Sequence, residues 1–123
     1  MTIFRCEALA ASFIEALTKR AQLYAEGKVA KANAAFTRSS VIAAQMMADR
    51  EARERVFKEL TKHPSEDVRI SAACYLLPID EAFAIKVLEV AEQTSIRPEN
   101  QISALYSIKE WRAGNMGNIR TLA

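Results

Sequence analysis

Glycine, histidine and cysteine are all scarce in this chain of 123 residues, and each shortage closes off a class of chemistry. Three glycines, at 27, 114 and 117, cannot build a phosphate cradle, and neither G-x-G-x-x-G nor G-x-x-x-x-G-K-[ST] occurs. His63 is the only histidine, and Cys6 and Cys74 lie far apart with no second ligand at metal-binding spacing. A zinc site needs about four closely arranged ligands, so none is expected. A Ser-His-Asp site would have to recruit His63, which stands beside Pro64 and reads as a solvent-facing turn residue. No apolar run reaches the roughly 18 residues of a membrane span. Glu7 and Glu15 break up the N-terminal apolar stretch from Met1, so it does not read as a secretory leader, and a cytoplasmic location is expected by default. The net charge of +2 marks neither a polyanion binder nor a strongly acidic protein.

What is abundant is alanine, as in Ala8-Leu9-Ala10-Ala11 and Ala72-Ala73. Alanine loses no side-chain entropy in a helix, whereas strands favour β-branched residues, so an all-α domain is expected. Apolar spacings of three and four predict a first helix over residues 5–25, with Leu9, Phe13, Leu17, Ala21 and Tyr24 inward, Ala10 and Ile14 beside them, and Gly27 as its stop. Residues 28–62 hold neither glycine nor proline. One helix of that length, at ~1.5 Å per residue, would span roughly 52 Å, longer than so small a domain is wide. A break is therefore expected at residues 48–50, where Asp49 can cap a new helix. Helix two then turns Val29, Ala32, Phe36, Ala43 and Met46 inward, and helix three Ala52, Val56, Phe57 and Leu60.

His63-Pro64 ends helix three, and Ser65 caps helix four ahead of Glu66 and Asp67, whose charge suits a helix start. Val68, Ala72, Ala73, Tyr75, Leu76 and Leu77 form the apolar face of helix four, which Pro78 closes. Asp80 caps helix five, with Ala84, Val87, Leu88 and Ala91 inward. Pro98 opens helix six, which runs through Ile102, Leu105, Ile108 and Trp111 to Gly114. The reading is about six helices in three antiparallel hairpins, one helical-repeat domain over residues 1–114 and a loose tail over 115–123.

Three features invite a functional reading and have a plainer one. The run Asp49-Arg50-Glu51-Ala52-Arg53-Glu54-Arg55 holds acid-before-base pairs four apart (Asp49/Arg53, Glu51/Arg55, Glu54/Lys58) and reads as a solvated helix face. Lys19, Arg20, Lys28, Lys31 and Arg38, against only Glu26, form a candidate binding surface, although such a cluster is more often a solvated face. Trp111 at core spacing reads as core, in the seam between helices four and six, with Arg112 turned away.

The segment from His63 to Leu76, with its acidic turn, Val68-Arg69 and Ala72-Ala73, resembles the core of a HEAT or armadillo-like repeat. Small alanines there admit close helix packing, and an arginine projecting back can bond carbonyls of the neighbouring turn. His63 stands where such repeats often place an aspartate. Together with Ala84-Ile85-Lys86-Val87-Leu88-Glu89 and Ile108-Lys109-Glu110-Trp111-Arg112-Ala113-Gly114, the segment is similar to a bacterial family, the domain-of-unknown-function family twenty-nineteen. That resemblance implies an α-α superhelix of HEAT/armadillo-like type and no activity.

The expected function is a non-catalytic protein-protein interaction domain, with no catalytic residue, no cofactor and no metal. A toxin-neutralising, immunity-type partner is one alternative, and weak nucleic-acid binding through the basic helix face is another. The expected partner is another protein; nucleic acid is the less favoured partner, and neither a membrane nor a small-molecule substrate is expected.

Overall fold

The computed structural model describes residues 3–122. Met1, Thr2 and Ala123, read as parts of the N-terminal stretch and the tail, lie outside them. The described residues are helical with no strand, as the composition predicts. They divide into two compact units, Met1–Val56 and Phe57–Ala123.

The first unit is a hairpin of α1 (Ile3–Ala25) and α2 (Val29–Met47) followed by a short π-helical segment (Ala52–Val56). Gly27 stops α1 at φ +77°, a left-handed conformation that strains any L side chain. Its N–H donates to the Tyr24 carbonyl at 3.0 Å, and the Lys28 N–H donates to that of Leu23 at 2.9 Å. These two bonds are the Schellman pair that satisfies the last carbonyls of a helix.

The inner face of α2 is made of small residues at its start, Ala32, Ala35 and Ser39, before Ala43, Met46 and Met47. Leu23 of α1 packs with Ala32 and Ala35, so the two backbones approach closely beside the turn. That close approach corrects three sequence expectations. Tyr24, Val29 and Phe36, read as inward, are 49%, 50% and 40% exposed, because Leu23, Ala32 and Ala35 occupy the contact instead. Further along, Phe13, Ala16 and Leu17 of α1 are fully buried.

The long glycine-free stretch does break at residues 48–49. The Asp49 carboxylate accepts the Ala52 N–H at 3.0 Å and the Cys6 thiol at 3.4 Å. With Asp49 committed as a cap, Arg53 donates to the Met47 carbonyl instead of pairing with it. Arg55 bonds Glu51 as expected, and Arg50 bonds Glu54, both on exposed surface where such pairs contribute little.

The second unit holds α3 (Phe57–Leu60), α4 (Glu66–Leu76), α5 (Glu81–Thr94), α6 (Pro98–Arg112) and α7 (Gly117–Arg120). Each of α3 to α6 packs on the next, and α6 also reaches α4. Val68, Ala72, Ala73, Leu76, Ala84, Leu88 and Ala104 are fully buried, and the Phe57 ring stacks on Tyr75 at 5.5 Å. Lys58 bonds Asp80 at 2.9 Å rather than Glu54, so α3 is tied to the start of α5.

Two faces differ from the sequence reading. In α5, Ile85 enters the core with Ala84 and Leu88, leaving Val87 and Ala91 half-buried. In α6, Ile102 is 54% exposed while Asn100, Ala104, Ile108 and Trp111 face inward. Asn100 donates to the Glu66 carboxylate at 2.9 Å, and that bond sets the rotation of α6 and turns Ile102 out.

Residues 115–122 are not a loose tail. A second Schellman pair at Gly114 (φ +86°) ends α6, and the chain folds back through α7, burying Ile119. Arg120 donates to the Asn115 and Trp111 carbonyls, and its guanidinium lies 3.6 Å from the centre of the Trp111 ring. The indole N–H donates to Glu81 at 3.0 Å. Trp111 is therefore buried, at 8% exposure, with Glu81 at the start of α5 and Arg120 of α7 against its ring. Arg112 is exposed, as expected.

Trp111→Ala should cost about 3–5 kcal/mol of stability in chemical denaturation. The single tryptophan should emit in the blue when folded and shift to the red on unfolding. Red, freely quenched emission from the native protein would contradict the burial.

Candidate functional site: a cationic apolar cleft along α5

An amphipathic helix has one apolar stripe, but α5 has two. Ala84, Ile85 and Leu88 serve the core. On another face, Phe83, Val87, Val90, Ala91 and Thr94 recur at spacings of three and four and line an open cleft of about 290 Å3. Val90 is 51% exposed there, a large apolar side chain left to solvent. The cleft is completed by Thr61, Lys86, Arg69 and Ser95.

The far wall is built from the turn before α4. The His63 ring accepts the Ser65 N–H on Nδ1 at 3.0 Å, the position an aspartate would fill in an Asx turn, so His63 is half-buried rather than simply solvent-facing. Arg69 donates through Nη1 to the carbonyls of His63 and Pro64, each at 2.8 Å, so its side chain reaches back over the preceding turn. These bonds hold the guanidinium at the cleft wall.

Ser95 is placed by Glu66. The Glu66 carboxylate accepts from the Asn100 amide at 2.9 Å, the Ile96 N–H at 2.9 Å and the Ser95 hydroxyl at 2.8 Å. Its pKa falls from 4.5 to about 2: the Asn100 bond lowers it most, desolvation opposes, and Ile96, Ser95 and the nearby Arg69 charge add to the fall. Beside it, the buried Asp67 pairs with Arg97 at 3.3 Å.

Within the cleft every hydroxyl already donates: Thr61 to the Lys58 carbonyl, Thr94 to that of Val90, and Ser95 to Glu66. Lys86 is exposed and has no partner among the described residues. Both ionisable residues lining the cleft are cations. The surface thus offers apolar contact flanked by positive charge, suited to holding a group with an apolar body and a negative edge.

The basic residues picked from the sequence lie elsewhere, in the first unit. Lys19 and Arg20 lie on α1, Lys28 in the connection, and Lys31 and Arg38 on α2. Arg20 lies over the Phe36 ring at 4.9 Å, and Lys28 pairs with Glu26 at 3.0 Å. The α5 cleft went unread because Val87 and Ala91 fit a core stripe as well as Ile85 does. The usable signal was an excess of apolar residues, Phe83, Val87 and Val90, beyond what one buried face needs. Among the described residues, no three histidine, cysteine or acidic side chains group to hold a metal, and no helix is long and apolar enough to cross a membrane.

No protein-family model matches the chain, and neither the curated proteins nor the solved structures hold a match.

Two outcomes follow from these contacts. Replacing Lys28, Lys31 and Arg38 together with alanine should leave stability within about 0.5 kcal/mol per site, since all three are exposed and the cap bonds at Lys28 are made by its backbone, which alanine keeps. Glu66 behaves oppositely. Its folded pKa lies below its unfolded one, so its contribution is complete above about pH 4.5 and lost as pH falls toward 2. Glu66→Gln should lower stability at pH 7 and flatten the acid limb of a stability-versus-pH curve. An unchanged acid limb would show that Glu66 is not its main source.

Proposed function

We propose that this chain is a non-catalytic protein-interaction domain of HEAT- or armadillo-like type, and that the α5 cleft is where it receives its partner. One observation carries the reading: α5 leaves Val90 and its apolar neighbours open beside Arg69 and the unpartnered Lys86. Exposed apolar side chains grouped in a concave, rigidly walled site are a mark of recognition surfaces. The cleft volume, about 290 Å3, is slightly below the ~300–1,000 Å3 typical of sites that enclose drug-sized ligands, and it suits a few anchoring side chains. The commitment of its three hydroxyls to internal bonds supports binding over nucleophilic chemistry. A HEAT-like character is supported by the α4 segment, where Arg69 bonds the preceding carbonyls and Ala72-Ala73 pack inward. The basic residues of the first unit favour a nucleic-acid reading less, since Arg20 and Lys28 are already engaged.

Val90→Asp puts a charge on an exposed position and should leave the fold intact by circular dichroism. Affinity capture from the native cell, compared between wild type and Val90→Asp by quantitative mass spectrometry, should show a protein retained only by the wild type, whose direct binding is then measured with purified components. Identical captured sets would remove the cleft from the reading, and salt-dependent oligonucleotide binding abolished by Lys31→Ala and Arg38→Ala would replace it.

A further inference from the structure

We infer that the cleft takes a helical segment of another protein, one that presents an apolar stripe with an acidic side chain beside it. The inference rests on the interaction reading above and deepens it by naming the partner's chemistry.

Length argues for a helix. The lining stripe runs from Phe83 to Thr94, twelve residues of α5 whose eleven rises of ~1.5 Å make about 16 Å, or three turns. A partner helix of similar length presents anchors at i, i+3 or i+4, and i+7, the spacing of helix-in-groove recognition. The anchors would lie on Val87, Val90 and Ala91, with Phe83 at one end. Phe83 is itself held, since the Lys58 ammonium that bonds Asp80 sits 5.2 Å from its ring centre. The floor residues all belong to one helix, α5, so their backbone is ordered before binding.

Charge argues for the acid. The ionisable side chains lining the cleft are Arg69 and Lys86, and no acidic residue lines it. Arg69 acts on the nearby Glu66 carboxylate, so part of its field is spent inside the unit. Lys58 is likewise neutralised by Asp80. Lys86 has no such neighbour bonded to it and carries the discrimination. A partner carboxylate there gains a charge pair at the rim of an apolar contact, while a partner lysine meets repulsion, the arrangement by which interfaces select partners.

The test uses the full chain and three synthetic helical peptides sharing one leucine stripe at i, i+3 and i+7, with Glu, Gln or Lys at the flanking positions. Fluorescence anisotropy at low salt should show the Glu peptide binding at least about tenfold more tightly than the Lys peptide. Lys86→Glu, at an exposed position, should abolish or reverse that preference, and Val90→Asp, which removes the apolar contact, should weaken the Glu and Gln peptides. Equal binding of the three peptides by the wild type overturns the acidic preference and leaves the docking reading standing. Binding that Val90→Asp does not change, or no binding at all, overturns both. Sedimentation of the free chain supplies a last outcome: a dimer that Val90→Asp dissociates assigns the cleft to a second copy and overturns the inference.

Discussion

The Glu66 carboxylate is the point on which the second unit turns. It stands in the first turn of α4, where helix dipoles favour negative charge, but its three hydrogen bonds go to residues 29 to 34 positions away. By accepting from Ser95 and Ile96 it fixes the connection between α5 and α6, and by accepting from Asn100 it sets the rotation of α6. Ile102 is turned outward and Ala104 inward as a consequence. A charged acceptor with three donors is among the stronger polar contacts a small domain can make, because each bond is charge-assisted. The Asp67–Arg97 pair at the next residue reinforces the same junction.

The cleft along α5 follows from that junction. Ser95 closes its far end because Glu66 holds the serine hydroxyl, and Arg69, one turn on from Glu66 in α4, reaches back to the His63 and Pro64 carbonyls and forms the opposite wall. The cleft walls are thus held by hydrogen bonds while its floor is apolar and unfilled. A preformed apolar surface with fixed edges binds without a large ordering cost, which is the physical basis for assigning recognition to this site. Arg120, stacked on Trp111, fastens the C-terminal residues of the same unit by a different means, a cation over an aromatic face.

The first unit is organised by size rather than by charge. Ala32, Ala35 and Ser39 line the side of α2 that meets α1, and their small volumes let the helices close up beside the Gly27 turn. The cost appears on the outside, where Tyr24, Val29 and Phe36 are left partly in water. Arg20 covers one of them, lying over the Phe36 ring, so a basic residue that reads as a binding group in the sequence is partly occupied in shielding an apolar one.

Most of the local structure was legible in the residues, the π-helical Ala52–Val56 and the short α7 excepted. Alanine content and apolar period specified helices, Gly27 and Gly114 specified their stops by left-handed backbone, and Asp49, Ser65, Asp80 and Pro98 marked helix starts, because caps and stops depend on neighbours within about one turn. The choice between competing faces was not. Val87 and Ile85, or Ile102 and Ala104, are near equivalents by period, and which is buried depends on how a helix is rotated by contacts distant in sequence. The same reason hid the packed C-terminal turn, where Arg120 is held over the face of Trp111, nine residues back. It also hid the cleft, since an unfilled surface exists only after the core has taken the side chains it needs. Sequence alone determined that the chain is helical and where most of its helices begin and end; tertiary packing decided which apolar residues were left over to meet a partner.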